Sequence, residues 1–367
     1  MKKKRLGVSL YPEFAPLEEN LSYLERAAAK GFDVLFLALL AGKDSRDEVL
    51  ARYKPICDKA NELGFEIDCD VNPMVFKRLG VNASMFQGPI DLSFFTELGV
   101  DVMRLDLGMT SFEEVALANN KFGIKVCING ASVHDHVGEL LSMGADPDRL
   151  LGCHNYYPQR YTGVSLDFFE KGSANWAKRN MRLQAFVSSL EPKAFGPWPV
   201  TEGLPTLEMH RDLPIEVQTR HMMLLPGITD ILIGNAFASD AELDAMAAAN
   251  DDCLVLDATA VPGLPAEQLE HASTRMSRRG DCGDYMVRTL ESRFKHPEVE
   301  PFNTVDVKRG DVTIANKLYG QYHGELHLAL KDMKNDGKTN VVGHIDEAEH
   351  ILLDYMTGSC AFRVNFR

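Results

Sequence analysis

The sequence has too few paired or clustered cysteines to suggest a disulfide-stabilised or zinc-binding protein. Its seven cysteines are scattered along 367 residues, and none of them forms a CxxC pair. An odd number of scattered cysteines argues against both a disulfide framework and a structural zinc site. We therefore expect reduced, buried thiols, several of them inside strand patterns, and we predict no metal site.

Long apolar runs are also missing. No stretch approaches the roughly 18 apolar residues that a membrane-spanning helix needs. The chain starts with the basic residues MKKKR, but the apolar run that follows ends after about six residues at Pro12. The apolar core of a signal peptide takes about seven to fifteen residues. We expect a cytoplasmic protein with no membrane partner.

Positive charge is scarce. The 39 Lys and Arg are outnumbered by 53 Asp and Glu, which gives a net charge of -14. This balance argues against binding to nucleic acid or to an anionic membrane, although a local basic pocket can still bind a small anion. No GxGxxG follows the first predicted strand, so the sequence does not favour a dinucleotide fold, and we expect no cofactor.

What the sequence does contain is a regular alternation of strand and helix patterns over about 240 residues. Such alternation, with strongly apolar strands, predicts an α/β protein and specifically a (β/α)8 TIM barrel. Ser111 and Glu114 form an S-x-x-E pattern that is expected to open the helix after the fourth strand. The eight predicted strands are residues 6–11, 33–39, 65–73, 102–107, 125–129, 150–155, 183–188 and 230–234.

The pattern changes near residue 250. Pro262, Gly263 and Pro265 mark a turn, and strand patterns then dominate to the end of the chain. We therefore predict a catalytic barrel domain over residues 1–250 and a smaller, mostly β domain over residues 251–367. Its predicted strands are residues 304–307, 311–315, 325–330, 340–342 and 361–366.

The third predicted strand carries the most informative pattern. In FEIDCDVNP (65–73), Glu66, Asp68 and Asp70 alternate with apolar residues. Side chains of a strand alternate between its two faces, so all three carboxyls lie on one face. Because helices are expected to cover the outside of the sheet, these carboxyls point into the barrel. Asp68 sits deeper and is interpreted as structural, and Asp70 is the better site candidate.

Polar and aromatic residues gather at the carboxyl ends of the predicted strands, where a TIM barrel has its active site. Carboxylates, amides and aromatic rings in one place are typical of a carbohydrate site, and two carboxyls can act as acid and base or nucleophile. Two of them also have structural interpretations: Asp106 can pair with Arg104 inside the barrel, and Glu13 can cap a helix. The candidate catalytic residues are Asp70, Asp106, Glu208 and Glu13. The candidate substrate-binding residues in the barrel are Tyr11, Asn72, Arg104, Asn129, His154, Asn155, Tyr157, Arg160, His210, Arg211 and Asn235.

Five motifs then resemble one known family. They are VSLYPE (8–13), RLDLG (104–108), CHNYYPQRYTG (153–163), GLPTLEMHR (203–211) and RGDVTIANKLYGQYHGEL (309–326). In order and extent they resemble the bacterial 6-phospho-N-acetylmuramidase family of glycoside hydrolases. The resemblance implies a TIM barrel followed by a smaller cyclophilin-like β domain. It also implies hydrolysis, in the cytoplasm, of N-acetylmuramic acid 6-phosphate linked β-1,4 to N-acetylglucosamine, a product of cell-wall turnover.

The implied partner is thus a small phosphorylated amino-sugar disaccharide. Its phosphate and lactyl carboxylate require positive charge, for which Arg104, Arg160 and Arg211 are the candidates. The last motif adds Tyr319, which either covers a pocket mouth or belongs to a plain hairpin. Two other functions stay open on the residues alone: a sugar-phosphate isomerase or aldolase, and a non-catalytic carbohydrate-binding protein.

Overall fold

The computed structural model describes residues 2–39, 44–106, 109–295 and 297–367. They form two compact units, one made of Lys4–Ala248 and the other mainly of Ala249–Arg367. In the first unit, eight parallel strands close into a barrel in which β1 pairs with both β2 and β8. The predicted TIM barrel is confirmed. Its strands are β1 (Arg5–Leu10), β2 (Val34–Ala38), β3 (Glu66–Val71), β4 (Val102–Leu105), β5 (Lys125–Asn129), β6 (Leu150–Cys153), β7 (Leu183–Val187) and β8 (Asp230–Ile233).

Helices follow the strands along the chain, as the alternating pattern predicted. Two short helices lie between β3 and β4, where a simple alternation of strands and helices would place one. The fourth predicted strand extended to Leu107, which lies outside the described residues. The helices of this unit are α1 (Leu17–Ala29), α2 (Arg46–Leu63), α3 (Pro73–Leu79), α4 (Ser93–Leu98), α5 (Ser111–Ala118), α6 (His136–Ser142), α7 (Leu166–Ala177), α8 (Ile215–Leu224) and α9 (Asp240–Ala249).

The start of α5 differs from the prediction by one residue. Thr110, not Ser111, is the N-cap: its side chain accepts from the backbone N–H of Glu113, and the Glu113 carboxylate accepts from the backbone N–H of Thr110. The sequence offers both registers, T-x-x-E and S-x-x-E. Tertiary contact decides between them, because Glu114 is buried and its Oε2 lies 2.6 Å from Nε2 of His136.

An ion cluster closes the amino-terminal end of the barrel. Glu66 of β3 contacts Arg5 at 2.9 Å, Lys125 at 2.9 Å and Arg182 at 2.7 Å, which belong to the first, fifth and seventh strand regions. Although burial opposes ionisation, the hydrogen bonds from Arg182 and Lys125 lower the pKa of Glu66 to about 2. These contacts across the barrel confirm that the carboxyl face of β3 points inward.

The second unit is a seven-stranded, mostly antiparallel sheet, so the predicted smaller β domain is confirmed as a fold. Residues 304–306, predicted as part of a strand, form no strand pairing within the described chain, and Val307 makes only an isolated bridge to Met333. The sheet order is β10-β15-β9-β14-β12-β13-β11. The elements are β9 (Leu254–Ala260), α10 (Ala266–Ala272), β10 (Met276–Ser277), β11 (Met286–Arg288), α11 (Ser292–Lys295), β12 (Asp311–Ala315), β13 (Leu326–Ala329), β14 (Thr339–Ile345), α12 (His350–Leu353) and β15 (Ala361–Phe366).

The cysteines form no disulfide among the described residues. All seven are free thiols, six of them buried, and Cys282 is exposed. Among the residues that the structure describes, no helix has the length and apolar character needed to cross a bilayer.

Candidate active site

A pocket of about 150 Å³ opens at the carboxyl ends of the barrel strands. Five of the sequence-predicted residues line it, and they come from three different strand ends. This is the end at which TIM barrels carry their active sites. The five are Asp70, Asn72, Arg104, Asp106 and Asn155.

Two carboxyls in the pocket share one guanidinium nitrogen. Nη1 of Arg104 donates to Oδ1 of Asp70 and, at 3.3 Å, to Oδ1 of Asp106. The Arg104 side chain is buried, Asp70 is nearly so, and Asp106 is 47% exposed. Burial raises the pKa of Asp70 to about 6, against the opposing effect of Arg104. The Asp70 carboxyl is thus enclosed and close to half protonated near pH 6. The Asp106 carboxyl is open to a ligand.

Arg104 is held firmly in this position. Its Nη2 donates to Oδ1 of Asn155, and its guanidinium carbon lies 5.9 Å from the ring centroid of Phe36. The backbone carbonyl of Asn155 in turn accepts from the Thr206 hydroxyl at 2.9 Å. Because these partners come from β2, the loop after β6 and the loop after β7, the position of the guanidinium is fixed by three separate parts of the barrel.

Aromatic and acidic side chains form the floor below this group. The Tyr11 hydroxyl donates to the carbonyl of Gly234 and lies beside Tyr156, which packs edge-on against Phe36 and Phe186. Tyr11 is fully buried, so it supports the pocket rather than lining it. The presence of Tyr11 at the end of β1 is therefore explained by its packing, and no direct contact with a ligand is needed.

Asp68 lies one step deeper on the same face of β3. It is fully buried, and neither carboxyl oxygen has a hydrogen bond within the described residues. The amide of Gln184 lies beside it. Burial raises the pKa of Asp68 to about 7, so its carboxyl stays largely protonated below neutral pH.

Trp198 is a pocket residue that the sequence analysis missed. It lies in the Gly- and Pro-rich loop after β7, lines the pocket next to Pro197, and is 54% exposed. A half-exposed indole at the rim of a polar pocket is suited to stacking on a sugar ring. The available signal was a tryptophan, one of only two in the chain, in a long loop at the active end of a predicted barrel.

Comparison with known proteins identifies the family. Residues 6–248 match the family model described as "6-phospho-N-acetylmuramidase, N-terminal", and residues 254–365 match "6-phospho-N-acetylmuramidase, C-terminal". The chain belongs to the 6-phospho-N-acetylmuramidase family. The family name supports a glycosidase that acts on a muramic acid phosphate, in agreement with the resemblance found in the sequence.

Two solved structures are similar to this family member over nearly their whole length. A crystal structure of an uncharacterized B. cereus protein is 37% identical, covers 99% of both chains and superposes with a TM-score of 0.89. A conserved Enterococcus faecalis protein of unknown function is 24% identical, covers 99% of this chain and 96% of its own, and has a TM-score of 0.73, which supports the fold alone. No curated protein matches the chain.

Glu208 was predicted to be a catalytic carboxyl of this muramidase family member. Its carboxylate forms hydrogen bonds that hold two loops together. Its two oxygens accept from the backbone N–H groups of Tyr161 and Gly163 at 2.7 and 2.8 Å. They also accept from Nε and Nη2 of Arg211 at 2.7 and 2.6 Å. The hydrogen bond from Arg211 and those from the backbone lower the pKa of Glu208 to about 2. These hydrogen bonds join the loop after β6 to the loop after β7, and the buried Arg211 takes part in them.

Arg160 and Asn235 are also held by the loops. Arg160 forms a two-pronged pair with Asp212 at 2.6 and 3.0 Å, with about a third of its side chain exposed. Asn235 is buried and links β7 and β8: its Oδ1 accepts from the backbone N–H of Ser189 at 2.8 Å, and its Nδ2 donates to the Ser189 carbonyl at 2.9 Å. Of the two, Arg160 is the one within reach of solvent.

The two predicted substrate-binding histidines are packed into the interior. Nε2 of His154 lies 3.0 Å from the Ser173 hydroxyl, and its ring stacks on Phe169 of α7. Nε2 of His210 lies 2.7 Å from Nδ1 of His221. Burial lowers the pKa of His154 to about 3 and that of His210 well below its usual range. Both rings are therefore neutral, and neither lines the pocket.

Four remaining predicted residues, and Asn72 of the pocket lining, also make local contacts. All five are exposed or half-buried. Asn72 caps α3, Asn129 accepts from the Ala131 N–H at 2.8 Å, Tyr157 donates its backbone N–H to the Pro205 carbonyl at 3.1 Å, Glu13 accepts from the Tyr53 hydroxyl at 2.8 Å, and Tyr319 lies in the second unit in the loop joining the antiparallel strands β12 and β13.

In the part of the chain that the structure describes, no three His, Cys, Asp or Glu side chains are placed to hold a metal ion. The chemistry available at the pocket is that of two carboxyls, one guanidinium and an indole. This set can transfer a proton to a leaving group and stabilise positive charge at a sugar carbon.

Proposed function

We propose that the protein hydrolyses the β-1,4 bond between N-acetylmuramic acid 6-phosphate and N-acetylglucosamine. It acts on the disaccharide from the end that carries the phosphate and releases the two monosaccharides during cytoplasmic recycling of the cell wall. We assign catalysis to residues 1–250. The observation that carries the proposal is the pair of carboxyls, Asp70 and Asp106, joined by Arg104 at the active end of a barrel of this family.

Asp70 is the proton donor in this proposal. A general acid works best when its pKa lies near the working pH, and burial raises the pKa of Asp70 to about 6. Its proton passes to the glycosidic oxygen as the bond from that oxygen to the anomeric carbon breaks. The departing N-acetylglucosamine leaves with a neutral hydroxyl group.

Asp106 is the second carboxyl. Its half-exposed side chain can approach the opposite side of the anomeric carbon, and Arg104 keeps it close to Asp70. Carboxyl oxygens that contact one nitrogen lie within about 6 Å of each other, nearer to the spacing of retaining than of inverting glycosidases. We therefore expect retention, by attack of Asp106 or with the substrate's own acetamido carbonyl as the nucleophile. Water then adds at the anomeric carbon, and the proton it loses restores Asp70.

Arg160 is the proposed phosphate contact. Arg104 and Arg211 are both buried in ion pairs, whereas the Arg160–Asp212 pair is exposed to solvent. An exposed pair contributes little stability, so a phosphate can replace Asp212 at small cost. This assignment follows from which of the three candidate arginines remains accessible.

The test uses the phosphorylated disaccharide and its unphosphorylated twin, incubated with the purified full-length protein and analysed by mass spectrometry and NMR. We expect cleavage of the phosphorylated form alone, with the β anomer of the muramic sugar formed first. Arg160→Ala should reduce the preference of the protein for the phosphorylated disaccharide over the unphosphorylated one. Cleavage of neither disaccharide contradicts the proposed reaction, and an initial α anomer contradicts the proposed use of the two carboxyls.

A further inference from the structure

We propose that the second unit has its own binding site for an uncharged pyranose sugar bearing a small apolar substituent, such as an N-acetylated amino sugar. The site is a cavity of about 520 Å³ built entirely of residues between Met286 and Thr339. Nothing in the reaction proposed for the barrel requires it, and the inference does not depend on that reaction.

The cavity lies on the polar face of the sheet. Strand pairing places Arg288 opposite His327, and His327 opposite Thr313, so three polar side chains form one row across β11, β13 and β12. The alternate residues Val287, Leu328 and Val312 face the other way and are fully buried. The core therefore takes one face of the sheet, and a polar row is left at the floor of the cavity.

A carboxylate joins this row into one hydrogen-bonding group. Oε2 of the buried Glu325 accepts from Nη2 of Arg288 at 3.3 Å and lies 3.2 Å from Nε2 of His327. Arg288 also approaches Asp281, but at the longer distance of 4.0 Å. A carboxylate beside a guanidinium offers an acceptor and donors side by side, as two neighbouring sugar hydroxyls require.

Tyrosines form one wall, and their loop is fixed. Tyr319 and Tyr322 lie edge-on with ring centroids 6.1 Å apart, and both remain partly exposed. Asn316 caps their turn: its Oδ1 accepts from the Leu318 N–H at 3.1 Å, and its Nδ2 donates to the Gly337 carbonyl at 2.9 Å. Two aromatic side chains held in this way can pack on a sugar ring without first being ordered.

Three apolar side chains also line the cavity. Val307 and Met333 line the cavity and are joined by a pair of backbone hydrogen bonds of 3.0 and 2.9 Å. Met286 of β11 adds to the apolar lining. This part of the lining accommodates a methyl group, such as that of an acetamido substituent, because burial of apolar surface is favourable.

The charges at the cavity favour a neutral ligand. Arg288 is paired with Glu325, Lys334 with Asp306 at 2.6 Å, and Lys338 with Asp336 at the cavity rim. These three cations and three carboxylates together carry no net formal charge, which favours an uncharged ligand. The cavity thus differs from the barrel pocket in the class of ligand that it fits.

The test is calorimetric titration of the full-length protein with N-acetylglucosamine and, separately, with glucose. We expect saturable binding of N-acetylglucosamine, at least tenfold weaker binding of glucose, and at least a tenfold loss in both Tyr322→Ala and Arg288→Ala. Tyr285→Ala is the matched control, since Tyr285 is an exposed tyrosine of the same unit that does not line the cavity.

A second set of titrations distinguishes binding in this cavity from binding in the barrel pocket. Binding that persists in Trp198→Ala, which alters the barrel pocket, supports the proposal. Binding that disappears in Trp198→Ala but survives in Tyr322→Ala overturns it, as does an absence of saturable binding to the wild type. Since no turnover is measured, the result is independent of whether the barrel cleaves the disaccharide. Unfolding midpoints of each variant distinguish lost binding from lost folding.

Discussion

Arg104 stands directly opposite Asp70 in the register of β3 and β4, and its guanidinium donates to the Asp70 carboxyl. The pairing of two neighbouring strands therefore determines the contact, without any loop having to close. Groups fixed in this way need no reorganisation when a substrate arrives. Asp106 follows Arg104 by two residues on the same face, which brings the second carboxyl to the same guanidinium.

Replacing either carboxyl should reduce turnover sharply. We expect Asp70→Asn and Asp106→Asn each to lower kcat by about 10²- to 10⁴-fold, because each removes a group that acts on the reacting atoms. The measurement is kcat for the phosphorylated disaccharide. Asp58→Asn, an exposed carboxyl on α2, is the control and should retain full activity. Full turnover in either pocket variant, with the fold intact, would remove that residue from the mechanism.

The pH dependence should report the protonation of Asp70. Its acidic form is the active one, and its pKa is raised to about 6, so kcat should fall as the pH rises above that value. An aryl glycoside of N-acetylmuramic acid 6-phosphate needs little protonation of its leaving group. We therefore expect the alkaline decline to be much weaker with that substrate. Identical declines with both substrates contradict the assignment of Asp70 as the proton donor.

Trp198 should contribute to substrate binding. We expect Trp198→Ala to raise KM by about tenfold, which corresponds to roughly 1.4 kcal/mol of lost stacking. Trp198→Phe keeps an aromatic face and should lose much less. Steady-state kinetics on the phosphorylated disaccharide check both, and equal KM values for the Ala and Phe variants would rule out a stacking role.

Glu208 should matter for stability rather than for chemistry. Glu208→Gln leaves the buried Arg211 without its carboxylate, and breaking a buried pair costs about 3 kcal/mol or more. We expect a lower unfolding midpoint in urea and an unchanged position of the pH profile of kcat. If the Glu208→Gln variant were fully folded but inactive, the result would contradict this expectation and support the catalytic role that the sequence predicted for Glu208.

Asp68 should make the protein less stable as the pH rises. Its pKa is raised to about 7 in the folded state, against about 3.9 in the unfolded chain. Between these values the folded state binds more protons, so stability falls with increasing pH, and Asp68→Asn removes this loss. We expect the variant to gain stability over the wild type at pH 8 more than at pH 5. Urea unfolding at the two pH values measures the free energy of unfolding of both proteins. If the difference between variant and wild type does not change with pH, Asp68 is not a buried, protonated carboxyl in the folded state.

The sequence by itself determined the repeating units of the barrel and the direction of the β3 carboxyls. Both follow from local periodicity, because side chains alternate along a strand and helices separate parallel strands. Asp70, Arg104 and Asp106 could therefore be named as candidates from periodicity alone. The second unit was less predictable: the short strands β10 and β11 lack a long pattern, and residues 304–306, predicted as part of a strand, form no strand pairing in the described chain.

Only the tertiary structure decided which of the other strand-end residues reach the pocket. Glu208 is bound to Tyr161 and Gly163, more than 40 positions away, and His154 turns toward Ser173 on a helix outside the barrel. Trp198 enters the pocket from a loop whose course no periodicity describes. Loop conformation depends on hydrogen bonds between distant parts of the chain, and local sequence patterns carry no information about them.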